Sequence, residues 1–323
     1  MKVLAYLYDA EGNDKKVDLD ANVLNGLNDK QLLWINILER DRDVIKSVAD
    51  TLQLKCVPIE GILRVAERPK VFKYKDFYHF FIVSVDSDEN GKLFPIPIDY
   101  LVGKNYVITV HDGDVNYLQE FGQHKKGENN IGELDAESFV ATMLDLHIVS
   151  YFRALEDIEE IVDKMDDGIL QKDWKDEDFL KQMVRLRGDV SKLRRWFLPH
   201  RDVFYALSRP DFKRISESED AELFQTLNQH FETAVNAIES SRDTVLSLFD
   251  LYTTKTSHRM NNTMKRLTFI TLMVGGMGVV AGVLGMNFEE EFFKSSIGFW
   301  IAISLMIAST GGLTLLAWMK DWI

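Results

Sequence analysis

Residues 267–288, LTFITLMVGGMGVVAGVLGMNF, decide how the rest of the chain is read. The run holds 22 residues and no charge. About 20 apolar residues carry a helix across the roughly 30 Å of bilayer hydrocarbon. A second run, 295–318, SSIGFWIAISLMIASTGGLTLLAW, holds 24 residues without a charge. A pair of core helices in a soluble protein is the plainer alternative. Two spanning-length runs only six residues apart argue against it.

The flanks give an orientation. Lys265 and Arg266 precede the first run and Lys320 follows the second, whereas the link 289–294, EEEFFK, is acidic on balance. The excess of cations on cytoplasmic flanks then predicts both termini in the cytoplasm and the short loop outside, as in an inner membrane protein crossing twice. Trp300, Trp318 and Trp322 stand near the span ends, where amphipathic rings anchor at the lipid–water boundary.

Upstream, the chain of 323 residues carries a net charge of −13. That argues against a nucleic-acid partner, which needs clustered Lys and Arg, and suits a protein that tolerates or attracts cations. Cys56 is the sole cysteine, so there is no disulfide framework; it is expected as a half-buried apolar residue. The first 20 residues lack the apolar core of a secretory signal.

Residues 1–145 read as a cytosolic α/β domain. Short β-rich runs lie at 3–8, 32–38, 76–86, 96–103 and 106–112, separated by turn residues. A helical pattern fills 41–66. Asp86-Ser87-Asp88-Glu89-Asn90-Gly91 imitates half a calcium loop, but Pro97 stands where its glutamate belongs, so a hairpin turn is expected. Residues 146–215 read as acidic antiparallel helices. The pattern is helical from about 136, with Gly168 expected to break or kink it, and a second long pattern carries Pro199. The acids Asp145, Glu156, Asp157, Glu159, Glu160, Asp163, Asp166 and Asp167 form either a solvated face or a cation-concentrating one.

No proline follows Pro210. Helical periodicity from about 217 therefore runs unstopped through a stalk, 216–266, into the first span, 267–288. About 70 helical residues would reach roughly 105 Å, and such a rod implies a bundle with neighbouring chains. The external loop is 289–294, the second span 295–318 and the cytosolic tail 319–323.

Alternating steps of four and three from Asp250 reach Thr254, Ser257, Asn261, Met264, Thr268, Thr271, Gly275, Gly278, Gly282 and Gly285. Every residue but Met264 is polar or glycine. A helix–helix seam explains the Gly278/Gly282 pair. It does not explain Asp250, Ser257 and Asn261 in the same register. Polar residues on a membrane-entering helix usually face a cavity or a bundle interior, and symmetric copies would make this line a wet pore.

Gly285-Met286-Asn287, closing the first of two C-terminal spans, resembles the signature of the CorA family of divalent-cation channels. Other stretches are similar too: Arg68-Pro69-Lys70-Val71, Leu193-Arg194-Arg195 with Pro199 and Arg201-Asp202-Val203, and Asn262-Thr263-Met264-Lys265. The resemblance covers essentially the whole chain. It implies an α+β membrane protein, a homopentamer, with an N-terminal α/β cytosolic domain and a long stalk helix continuing into the pore-lining span. It also implies that Gly285, Met286 and Asn287 form a selectivity filter. Asn261, Met264, Leu267, Thr268, Thr271, Gly275, Gly278 and Gly282 would line or gate the pore, and Asp250 would be a regulatory metal site. Glu289, Glu290 and Glu291 would gather cations at the mouth.

Magnesium is the implied cargo, with cobalt and nickel beside it. The ion gives up water reluctantly, so neutral asparagine oxygens suit its hydrated form and still let it leave. The stretch Arg194-Arg195-Trp196…Pro199-His200-Arg201-Asp202-Val203 resembles the zinc-transporting ZntB branch equally, which makes zinc the alternative cargo. Where magnesium-sensing members pair an acid across subunits, this chain has Thr226. His200 and His230 are expected as packed or surface residues rather than a zinc site. A non-conducting membrane scaffold or receptor is the alternative of another class. An enzyme is not expected, since no Walker loop, HExxH or nucleophile elbow occurs.

Overall fold

The computed structural model of the protein describes residues 2–9, 14–20, 24–28, 30–64, 68–89, 91–123, 135–171, 176–216, 221–286 and 295–319. The chain divides into two compact units, 1–246 and 247–323.

In the first unit the described strands are β1 (Val3–Asp9), β2 (Lys15–Lys16), β3 (Gln31–Ile37), β4 (Val71–Lys73), β5 (Tyr78–Ser87), β6 (Leu93–Val102) and β7 (Tyr106–His111). They form one sheet in the order β2-β1-β3-β7-β6-β5-β4. The β3–β7 pairing is parallel and the others are antiparallel. The near-continuous apolar runs of β3 and β7 mark strands covered on both faces. Leu33, Ile35, Ile37, Ile108 and Val110 point to a core closed by Ile45, Val48 and Ile62. On the opposite face Trp34 meets Phe139 and Phe121, with ring centroids 5.6 and 6.0 Å away.

The expected single helical stretch over 41–66 is instead two helices, α1 (Arg42–Thr51) and α2 (Ile59–Leu63). Asp41 caps α1, its Oδ1 accepting from the Asp43 and Val44 N–H groups, which holds its carboxyl below the usual range. The stop is a Schellman turn: Leu54 N–H donates to the Ala49 carbonyl and Gln53 N–H to that of Asp50. Gln53 takes the left-handed conformation (φ 54°) that glycine usually supplies, so the sequence pattern hid the break. Cys56, also left-handed (φ 63°), is exposed rather than half-buried, because it lies in the loop between the two helices.

The β5–β6 hairpin takes the place of the calcium-loop mimic. Gly91 N–H donates to the Asp88 carbonyl (2.8 Å) at φ +65°, a conformation that favours glycine.

Helix α3 (Asn116–Gln123) precedes α4 (Ala136–Gln171), so the expected division at 145/146 falls inside α4. Gly168 does not interrupt α4: helical hydrogen bonding continues to Gln171. The second long pattern divides into α5 (Asp176–Phe197), a 3-10 turn (Leu198–His200) and α6 (Arg201–Ser208). Pro199 sits early in the 3-10 turn, where its missing N–H costs least. A short α7 (Lys213–Ser216) follows.

Helix α8 spans Ala221–Leu284, 64 residues, against the expected start near 217. Residues 217–220 lie outside the described set. Within the first unit Phe224, Leu227, Phe231, Val235 and Ile238 are buried at helical spacing. Phe231 packs on Phe197 and Phe204, with ring centroids at 4.7 and 4.5 Å. Polar ties flank that seam: Arg201 grips Glu232 with two bonds of 2.8 Å, and Ser241 donates to Glu159. Of the acids of α4, Asp145 is half-buried and Glu156, Asp157, Glu159, Glu160, Asp163, Asp166 and Asp167 are exposed, whereas Glu137 is buried against Arg214.

The second unit holds the rest of α8 and α9 (Ser296–Met319). Each carries a window long and apolar enough to cross a membrane, and neither window is buried within the chain.

Candidate functional site

In the second unit one face of α8, continued by Gly285 in the turn after it, gathers the residues of the polar-to-glycine line. Asp250, Thr254, Ser257, Asn261, Met264, Thr268, Thr271, Gly275, Gly278, Gly282 and Gly285 are all exposed in the chain. A strict 3.5-residue repeat drifts about 20° per heptad on an α-helix, so the line winds slowly left-handed rather than running straight. Leu267, one residue from Thr268, is 57% exposed beside it. The Thr271 hydroxyl donates to the Leu267 carbonyl (2.9 Å), so its proton is satisfied inside the helix and its lone pairs face outward. Beyond the β-carbon positions of Gly275, Gly278 and Gly282 there is open space. Gly285 is tighter, with the Ala281 carbonyl oxygen 3.3 Å from where a β-carbon would stand.

The other side of α8 is built differently. Phe269, Met273 and Val280 are half-buried and recur on one face. Met277 shares that face and lines a groove with Ile303, Met306, Thr310, Thr314 and Trp318 of α9. At about 100° per residue this apolar face lies roughly opposite the glycines. In α9, Gly298 and Ala317 are buried, and Trp300 and Trp318 stand exposed near the two ends. The second span thus leaves the polar line uncovered. Chemically, such a line offers amide and hydroxyl oxygens below and bare backbone above, with one carboxylate, Asp250, at its lower end.

The structure places the expected residues from Asp250 to Gly282 on one helix, with Gly285 and Met286 in the turn that follows its end at Leu284. Asn287 and Glu289, Glu290 and Glu291 lie outside the described residues. So does Trp322. Among the described residues no three His, Cys, Asp or Glu side chains converge as a metal cluster. His200 is packed, not exposed: the Val83 N–H donates to its Nε2 and its Nδ1–H donates to the Phe197 carbonyl, both at 2.8 Å. His230 lies at the surface, 3.2 Å from Asp145.

Sequence reasoning missed a buried polar knot. The Arg40 guanidinium, 4% exposed, donates to Asp99 (2.5 Å) and to the carbonyls of Ile62 and Pro97. His79 Nε2 meets the other Asp99 oxygen at 2.6 Å. A carboxylate inside the otherwise apolar run of β6 was the available signal.

These features define a class: an α/β domain joined through one long helix to a pair of membrane-spanning helices, the first bearing a polar, small-residue line. The chain belongs to the CorA-like Mg2+ transporter family, whose sequence profile matches residues 29–320. It is 28% identical over 261 residues to the cobalt/magnesium transport protein CorA of Thermotoga maritima, covering 79% of this chain and 73% of that one. The complete structure of the CorA magnesium transporter from Methanocaldococcus jannaschii superposes with a TM-score of 0.80 at 19% identity, over 100% of this chain and 99% of that one. The cytoplasmic domain of ZntB from Vibrio parahaemolyticus superposes at 0.60 and 12% identity, over 80% of this chain and 100% of that one. At these identities the structural likeness speaks for the fold.

Proposed function

We propose that the chain is a channel for hydrated divalent cations, magnesium first with cobalt and nickel beside it, and that it works as a homopentamer. Five copies of α8 would turn their polar lines to a common axis, and α9 would form the outer ring against lipid. Both termini would lie in the cytoplasm of a cell whose inner membrane holds the spans. The segments are read as an α/β domain to about 145, acidic helices to 215, a stalk to 266 and the two spans beyond.

One observation above the others supports the reading. The line from Asp250 to Gly285 stays exposed over its whole length and lies away from α9. An uncovered polar line on a membrane-entering helix needs water or a partner, because unsatisfied polar groups are costly in hydrocarbon. Asn287 would offer carbonyl oxygens to the ion's water shell, with Gly285 and Met286 setting its position. Glu289 to Glu291 would raise the local cation concentration. Asn261 would form the inner polar ring, Met264 and Leu267 the apolar constriction, and Asp250 a regulatory cation site. The ion is cargo, and no other cofactor enters the scheme.

Asn287→Ala tests the filter in liposomes loaded with a cation-sensitive dye. Magnesium influx should fall to background while the variant still assembles; undiminished influx would sink the assignment. The same assay run with zinc separates the two cargoes, and a wild-type protein passing neither would favour the scaffold.

A further inference from the structure

The chain carries −13 overall, yet residues 251–286 contain Lys255, Arg259, Lys265 and Arg266 and no acid, a balance of 4 − 0 = +4. Two of these, Lys265 and Arg266, stand side by side where α8 enters its uncharged run, and such a pair beside a cation pathway works against the proposed cargo unless something neutralises it. Their placement says what does.

Lys265 and Arg266 immediately precede the uncharged run that begins at Leu267. The headgroup layer on each side of the hydrocarbon is roughly 5–8 Å thick, so both residues fall within it. Arg259 stands about 12 Å below Leu267 and Lys255 about 18 Å, at 1.5 Å per helical residue. At about 100° per residue, Arg266 lies some 160° round the helix from Thr268, with Arg259 close to the same bearing and Lys265 on the flank. Arg266 is therefore on the outer side of α8, about one turn below the half-buried Phe269 and two below Met273, and away from Asn261, Met264 and Thr268. Arg266 is exposed, Lys265 is half-buried, and among the described residues no carboxylate pairs with either.

We infer that Lys265 and Arg266 form a binding site for the phosphate headgroups of anionic lipid in the cytoplasmic leaflet. The chemistry is direct. A guanidinium offers paired N–H donors to phosphate and a lysine offers a point charge. A basic cluster just cytoplasmic of a span is attracted to anionic headgroups by about 1 kcal/mol per charge, close to fivefold in affinity. Bound phosphates would cancel the positive collar from outside and leave the polar line to the cation. The inference rests on α8 and α9 being membrane spans and not on conduction.

The test uses full-length protein in vesicles of phosphatidylcholine containing a trace of spin-labelled phosphatidylglycerol or spin-labelled phosphatidylcholine. The fraction of each label immobilised at the protein gives their relative association. Phosphatidylglycerol should be preferred several-fold at low salt, and the preference should shrink as salt screens it. The pair Lys265→Gln/Arg266→Gln should bring the ratio close to one, whereas Lys265→Arg/Arg266→Lys should keep it. Equal association of both lipids with the wild type overturns the inference without any variant being made. An undiminished preference in the neutral pair overturns it too. Failure of magnesium influx with lipid preference intact would count against the channel and not against this site.

Discussion

Gly282 separates the energetics of one helix from the demands of a pathway. Within the chain, a β-carbon at Gly282 meets nothing within 4 Å. Glycine inside a helix is about 0.8–1.0 kcal/mol less favourable than alanine, so for an isolated helix Gly282→Ala is a gain of about 1 kcal/mol. Leucine is nearly as good a helix former and is at home in hydrocarbon, so Gly282→Leu should also insert and fold. If the glycine line faces an axis shared by several copies, the same change places an isobutyl group from every copy at one level. A hydrated magnesium ion keeps most of its waters and cannot thread a plug of alkyl groups. Gly282→Leu should then lower initial magnesium influx into dye-loaded liposomes at least about tenfold, or about 1.4 kcal/mol of added barrier. Thermal unfolding in detergent should stay at or above the wild-type midpoint. Gly276→Leu is the matched control. Its β-carbon is equally unobstructed in the chain, but it lies off the line, about 100° from Gly275. Wild-type influx through Gly282→Leu, or equal losses in both variants, would refute the placement of the pathway.

The buried knot of Arg40, Asp99 and His79 should be costly to break. Asp99→Asn leaves the buried Arg40 guanidinium only the exposed carboxylate of Asp112, 3.8 Å from its Nε, as counter-charge, at an expected cost of about 3–5 kcal/mol. Urea unfolding followed by the fluorescence of the buried Trp34 checks this, and a loss below about 1 kcal/mol would show the knot to be dispensable. Burial pushes the His200 imidazole down to about 4, from an ordinary value near 6.5. Folding then holds a neutral ring, and the unfolded chain binds the extra proton between those two values. Stability should therefore fall as pH drops from about 6.5 towards 4, by up to about 3 kcal/mol. His147, its ring centre 4.9 Å from that of His200, is also held low by burial and adds to the same trend. Replacing His200 by Gln, which can still accept from Val83 and donate to Phe197, should flatten the pH dependence of the unfolding midpoint. An unchanged slope would mean that His200 does not carry it.

Much of this protein was legible without coordinates. The two spans, the long helix and the line along it depend on local periodicity. Such a helix forms from near-neighbour bonds, and nothing between Ala221 and Leu284 interrupts them. Central strands such as β3 and β7 were readable because burial on both faces leaves a near-continuous apolar run. The stop after α1 was not readable. It depends on Gln53 adopting a left-handed conformation that its side chain does not advertise, and the same loop set Cys56 in solvent. Gly168 failed as a breaker because glycine weakens a helix by only about 1 kcal/mol, which the packing along α4 outweighs.

The sequence by itself determined which residues share a face of α8, because 3.6 residues per turn fixes that without reference to any neighbour. Only the tertiary structure decided which face stays uncovered. Phe269, Met273 and Met277 lie on the side of α9, and the polar and glycine line lies on the other. Tertiary structure also decided that Arg40 meets Asp99 and His79, residues far apart in the chain that a sheet register brings within 2.6 Å. Periodicity is a local property, and burial depends on what arrives from elsewhere in the chain.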